Sequence, residues 1–181
     1  MPLYHFSEDP SIECFAPRPP LAHPETEPFV WAIDESHAPL YFFPRDCPRA
    51  CFWPLPSTTP EDLARFWSHT NCRMVIAVEW AWLPRIQTTS LYRYSFAEDS
   101  FEPVQDHGVH VSRERIVPVS VVPMGDLLKR LAEANVELRM CPSLVSLSEA
   151  LIESSLHFSL IRMRNAHGWT GAPGSPAVPK R

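Results

Sequence analysis

Leu3, Tyr4 and Phe6 make a short apolar run that ends at the turn residues Ser7, Glu8, Asp9 and Pro10, which predicts a first strand over residues 2–7. A second apolar run over residues 29–33 predicts another strand. Asp34, Glu35 and Ser36 then read as a helix start, with Ser36 as N-cap of a short segment over 38–43 that Pro44 ends. Thr59 before Pro60, Glu61 and Asp62 is the clearest helix start in the first half. The hydroxyl can cap, proline suits the first helical position, and the acids favour the positive end of the dipole. This helix is expected to reach about residue 69.

Residues 73–80 (RMVIAVEW) and 88–96 follow as strands, the second alternating Leu91, Arg93 and Ser95 against Tyr92, Tyr94 and Phe96. Residues 109–111 and 116–122 add strand material. Leu127, Leu128 and Leu131 predict a helix over 126–134 with Asn135 as its C-cap, and a last strand follows over 136–140. Ser146 and Glu149 have capping-box spacing, so a final helix is expected to run toward residue 163. From His167 onward the sequence GWTGAPGSPAVPKR has no periodicity and reads as a disordered tail over 167–181. Strands that come as neighbours, without strict βαβ alternation, predict an α+β fold. The expectation is a single domain over 1–166, with a mixed or antiparallel sheet and flanking helices.

Composition changes this picture in one respect. The chain holds 21 prolines, about twice the usual share of roughly 5%. Residues 16–28 (APRPPLAHPETEP) are therefore expected to form a stiff, extended loop. Lys plus Arg is 16 against 21 Asp plus Glu, a net charge of −5, so no broad basic field supports non-specific nucleic-acid binding. No apolar run is long enough for a spanning helix, and MPLYHFSEDP has neither part of a signal peptide, so a protein off the membrane is expected. The five cysteines fit reduced thiols and a cytoplasmic location.

Several chemistries are excluded or weak. With five glycines the chain contains neither a dinucleotide-binding glycine fingerprint nor a Walker A motif, and it has no serine nucleophile elbow. Cys47 and Cys51 stand at a spacing two zinc ligands could use, but a second paired cluster is missing. His107 and His110 are no stronger, and no metal site is assigned. Cys72 follows a predicted helix C-terminus, where the dipole disfavours a thiolate. Arg45, Arg49, Arg113 and Arg115, with Trp53, Tyr92 and Tyr94, would suit a single-stranded nucleic-acid binder only if they shared one face.

Three segments in order carry the sharpest functional signal. They are Tyr4, His5, Phe6 and Ser7 on the opening strand; VWAID (30–34) leading to Tyr41; and VSRERIVP (111–118), where Glu114 precedes an apolar strand. Glu102 in SFEP (100–103) brings a second acid. Taken singly, each has a structural reading: a hydrogen-bonded strand histidine, a core tryptophan, a solvated charged turn. Together they could gather a donor, an aromatic face and a carboxylate, which suit a ribose hydroxyl, a planar base and a developing oxocarbenium ion.

From LYHFSEDPSIECFAPRPP through VWAIDESHAPLYFFPRDCPR to the VSRERIVPVSVVP segment, the chain resembles the DUF6886 family of uncharacterised bacterial proteins. More distantly, the order of the three segments resembles the ADP-ribosyltransferase superfamily, especially the small rifampin ADP-ribosyltransferases. That resemblance implies NAD as the ligand and an ADP-ribosyltransferase-like cleft. It implies that His5 bonds a ribose hydroxyl, that Trp31 or Tyr41 stacks near the nicotinamide, and that Glu114 or Glu102 stabilises the ribosyl cation. Phe6 stands where those enzymes have glycine. The other expectation is a non-catalytic interaction or regulatory module, suggested by the proline-rich loops and by Phe52 and Trp53.

Overall fold

The structure, a computed structural model, describes residues 2–19, 27–104 and 108–171. In chain order the strands are β1 (Leu3–Ser7), β2 (Val30–Asp34), β3 (Arg49–Trp53), β4 (Met74–Glu79) and β5 (Tyr92–Phe96). They continue as β6 (Glu102–Pro103), β7 (Val109–Ser112), β8 (Ser120–Pro123), β9 (Val136–Cys141) and β10 (His157–Ile161). The α-helices are α1 (Pro60–Asp62), α2 (Leu83–Thr88), α3 (Leu127–Glu133) and α4 (Val145–Ile152). The fold is α+β, as the neighbouring strand patterns predict. The strands form two sheets, one in each of two compact units: Met1–Arg45 with Thr88–Leu127, and Asp46–Gln87 with Leu128–Arg181.

The sheet of the first unit has the order β6-β7-β2-β1-β5-β8, and every pairing in it is antiparallel. Alternation splits its side chains between two faces. Leu3, Val30, Ala32, Tyr94 and Phe96 point to one face and form a core with Phe101 and Ile116. Ile12 and Phe15 close that core from the segment after β1. Tyr94 pins the segment in place. Its fully buried hydroxyl donates to the Asp9 carbonyl at 2.7 Å and accepts from the Ile12 amide at 3.1 Å. Phe15 adds two backbone bonds to Ile116, at 2.8 and 2.9 Å.

The opposite face carries Tyr4, Ile33 and Ala38, packed with Phe6, Tyr41, Phe42 and Val109. Ala38 and Tyr41 belong to a 3-10 turn, Ala38–Tyr41, whose N-cap position is His37 and not Ser36. The cap is made by Asp34: its Oδ1 accepts from the His37 amide at 2.8 Å and from the Ser36 hydroxyl at 2.9 Å, and lies 2.8 Å from His37 Nδ1. Asp34 can reach three donors because Gly108 makes room. Gly108 has φ +74° and lies so close that an added Cβ would collide with His37 and Asp34. Only glycine satisfies both demands.

The second sheet has the order β10-β3-β4-β9 and is mixed, β4 and β9 running parallel. Ala50, Phe52, Val75 and Ala77 face a core with Phe66, Leu144, Leu151, Leu156 and Met163. Thr59 caps α1 as its sequence predicts, accepting from the Asp62 amide at 3.2 Å, and the helix continues as a wider π-helical turn over Leu63–Trp67. Asn135, at φ 55°, ends α3 in the left-handed region, as a C-cap asparagine can.

Three expectations are corrected, and one unassigned stretch proves to be strand. The final helix stops at Ile152, where Ser154 Oγ bonds the Leu151 carbonyl, and residues 157–161 form β10 beside β3. The capping box is not used, because α4 begins earlier, at Leu144 as N-cap. Residues 49–53, given no element above, form an inner strand of the second sheet. Residues 83–88 are helix, so the predicted strand from 88 begins at Tyr92. The described chain continues through residues 167–171, with Trp169 against the second core; the rest of the expected tail, 172–181, lies outside the described residues, as do 20–26 of the proline-rich loop.

Tyr94→Phe removes one hydroxyl and leaves the Asp9 carbonyl and the Ile12 amide without a partner. The expected loss is about 1–3 kcal/mol, read from urea unfolding. The exposed edge substitution Val121→Thr should stay within about 0.5 kcal/mol of wild type.

Candidate ligand cleft at the sheet edge

β6 is the outer strand of the first sheet, and its short pairing with β7 sets Glu102 opposite Val111. The chain turns on either side of this pair. Ser100 and Phe101 enter it, Ser112 to Glu114 leave it, and together with Asp99 they line a cleft of about 300 Å³. Ser112 is buried, and its hydroxyl accepts from the Glu114 amide at 3.2 Å, holding the turn that carries the acid. Arg113 Nε donates to Glu27 at 2.8 Å and its Nη1 to Glu102 at 3.1 Å, while the guanidinium lies 5.1 Å from the Phe29 ring centre. The two predicted acids thus line one cleft, and Glu102 is paired there with Arg113.

Val111 also stands opposite Trp31 on β2. Glu102, Val111 and Trp31 therefore share a face, because residues directly opposite in a ladder point the same way. Trp31 is 39% exposed, and its ring meets Phe29 edge-on at 5.9 Å. Tyr41 belongs to the apolar cluster on this same face.

His5 is on the other face. It stands opposite Tyr94, and its ring packs 4.9 Å from Phe15. The β1–β2 ladder ends at Tyr4 and Ile33, so the Trp31 carbonyl beyond it has no ladder donor, and His5 Nδ1 meets that oxygen at 3.1 Å. Burial is the largest influence on this imidazole and lowers its pKa; the bond to Trp31 opposes the shift, and the nearby Arg45 charge adds to it.

Asp34 was visible only as a possible helix start. Burial pushes its carboxyl up, but bonds from the His37 amide, the His37 ring and Ser36 outweigh this and hold it below the ordinary value. His37, Ser36 and Asp34 do not form a nucleophilic triad, since the serine and the aspartate both meet the same ring nitrogen, Nδ1.

Among the described residues no group of three or more His, Cys, Asp and Glu could hold a metal, and His107 lies outside them. Cys47 and Cys51 are fully buried thiols, each pushed up to about 12 by burial. Two of the four arginines proposed for nucleic acid are otherwise engaged. Arg49 is buried and donates to the Cys47 carbonyl at 2.8 Å, and Arg113 is held by two carboxylates. No described helix is long and apolar enough to cross a membrane.

Residues 4–166 match a family described as a family of unknown function, DUF6886. The chain belongs to that family. No curated protein and no solved structure matches it. The DUF6886 match spans both sheets and includes every residue of the cleft named above.

Two outcomes follow from the titrations. The unfolded chain protonates His5 near 6.5, and the folded chain does so only at lower pH. Its contribution to stability is full above that value and falls as pH drops from 6.5 toward the folded pKa. His5→Gln should therefore lose less stability than wild type between pH 7.5 and 5, in paired urea titrations. Cys47 and Cys51 should resist iodoacetamide at pH 8 in the native protein and react in urea, read by mass spectrometry of the labelled peptides.

Proposed function

We propose that the chain binds a nucleotide-type ligand, NAD or a relative of it, with a ribose in the cleft beside Glu102 and Glu114. The observation that carries this reading is that both acids line one cleft of about 300 Å³, Glu102 paired with Arg113. Carboxylates accept from vicinal hydroxyls, and the buried Ser112 fixes the turn that presents Glu114. The volume lies at the low end of ligand sites, roughly 300–1,000 Å³. It suits one ribose and its substituent, with the exposed Trp31 ring on the same face of the sheet. In this reading His5 is a positioning residue that holds the β2 backbone under Trp31 and does not touch the ligand.

If turnover occurs, the chemistry is ADP-ribosyltransferase-like: Glu114 or Glu102 would stabilise positive charge developing at the ribose as nicotinamide leaves. The ordered segments of Trp31 with Tyr41 and of Glu114 support that extension.

A second reading, a protein-interaction module, draws on Val117, Val119 and Val121, which are 70%, 71% and 43% exposed along the β8 edge. Pro118 and Pro123 weaken it, since each removes a backbone donor that an added strand would need.

The test is a thermal-shift and calorimetric series with NAD, ADP-ribose and adenosine on the full chain. A ligand at one hundred times its dissociation constant should stabilise the fold by about 2.7 kcal/mol. Glu102→Gln and Glu114→Gln should each weaken binding about tenfold while leaving the urea midpoint near wild type. No shift with any of the three compounds would discard the nucleotide reading in favour of the interaction module.

A further inference from the structure

Trp31 lies outside the apolar cluster that covers β1 and is 39% exposed. One exposed ring means little by itself. This ring stands beside a cleft. Val111 lines the cleft and is directly opposite Trp31 on β2, so the tryptophan is one strand step, roughly 4.8 Å, from the cleft wall. Its neighbour Phe29 is already covered by a cation, the Arg113 guanidinium, 5.1 Å from the ring centre. Trp31 meets Phe29 at 84°. A tryptophan face attracts a cation more strongly than phenylalanine or tyrosine does.

The charge of the cleft points the same way. Among the residues that line it, Asp99, Glu102 and Glu114 stand against one guanidinium, Arg113. That guanidinium is shared between Glu102 and Glu27, at 3.1 and 2.8 Å. The walls therefore keep a surplus of negative charge. A concave surface of one sign concentrates ligands of the other sign.

We infer that the cleft selects a riboside whose base carries a positive charge, with the ribose beside the carboxylates and the charged ring against Trp31. This rests on the reading of the cleft as a ribose site. Two kinds of compound have that chemistry: a pyridinium joined to ribose, and a purine riboside alkylated on a ring nitrogen. In both, a planar cation is bonded directly to the sugar, so the charge spans the single strand step from the cleft wall to Trp31. A neutral base forgoes both the attraction of the walls and that of the tryptophan face. A phosphate placed there meets repulsion from the same walls.

The test compares matched pairs by calorimetry on the full chain: nicotinamide riboside against its reduced, uncharged form, and N7-methylguanosine at pH 6 against guanosine. Each pair keeps the ribose and nearly the shape of the base, and changes the charge. The charged member of at least one pair should bind about tenfold tighter, and added salt should erode that advantage. An advantage in one pair alone names the source. Asp99→Asn, which removes a wall charge, should narrow the gap, and Trp31→Leu should cost the charged member more than the neutral one. Equal or weaker binding of the charged members overturns the charge selection and leaves the ribose cleft standing. If N1-methylnicotinamide, a cation without a sugar, binds as tightly as nicotinamide riboside, the ribose reading is overturned while the preference for positive charge stands. No binding by any of these compounds overturns both. The wild-type comparison decides the matter if a variant fails to fold.

Discussion

Successive side chains of a strand point to opposite faces, and on the six-stranded sheet this rule decides what site can be built. β1 lies near its centre, with Tyr4 and Phe6 on one face and Leu3 and His5 on the other. The face of Leu3 is consumed by packing: Phe15 meets His5, Tyr94 and Phe96 at 4.9, 5.1 and 5.1 Å, and Tyr94 ties the overlying segment through Asp9 and Ile12. A histidine there cannot meet a ligand lying on Trp31. What it can do is meet a backbone oxygen that the β1–β2 ladder leaves without a donor. The face of Tyr4 is also packed over β1, but toward its edge it leaves Trp31 and Glu102 exposed.

Glu79 performs a comparable task in the second unit. It ends β4 as a buried carboxylate, and buried charge is costly unless hydrogen bonds replace the lost water. The Leu144 amide at the start of α4 and the His167 amide supply those bonds at 3.2 and 2.9 Å. One side chain thus fixes the end of a central strand, the entry of a helix and the segment after the last 3-10 turn. The buried core residues beside it, Leu144, Leu151 and Met163, are then presented to the Phe52 face of the sheet.

Much of this was legible in the sequence where local chemistry and tertiary contacts agree. Thr59 caps α1, Asn135 ends α3, and Tyr92, Tyr94 and Phe96 turn inward together, because each of those signals is decided within a few residues. The misread elements are those decided by distant partners. Val145–Ile152 and His157–Ile161 form one apolar pattern along the chain, and only pairing of the second with β3 makes it a strand. Arg49–Trp53 has a charge and a cysteine where a strand signal would be sought, yet β4 and β10 flank it on both sides. The acids Glu102 and Glu114 were legible as candidates; that they share a cleft depends on the β6–β7 pairing.

The Arg113 ion pairs decide what the cleft can bind. Arg113 shares its charge between Glu27 and Glu102, and all three side chains are more than half exposed. Exposed pairs of this kind contribute about 0–1 kcal/mol each, so the contact orients Glu102 without locking it. A ligand hydroxyl can take the free lone pairs of that carboxylate at little cost. With Arg113 already engaged, Asp99 and Glu114 on the same walls leave the cleft negative, and a bare phosphate entering it would meet repulsion. A ligand with both hydroxyls and phosphates must therefore lie with its hydroxyl end in the cleft and its charge outside it.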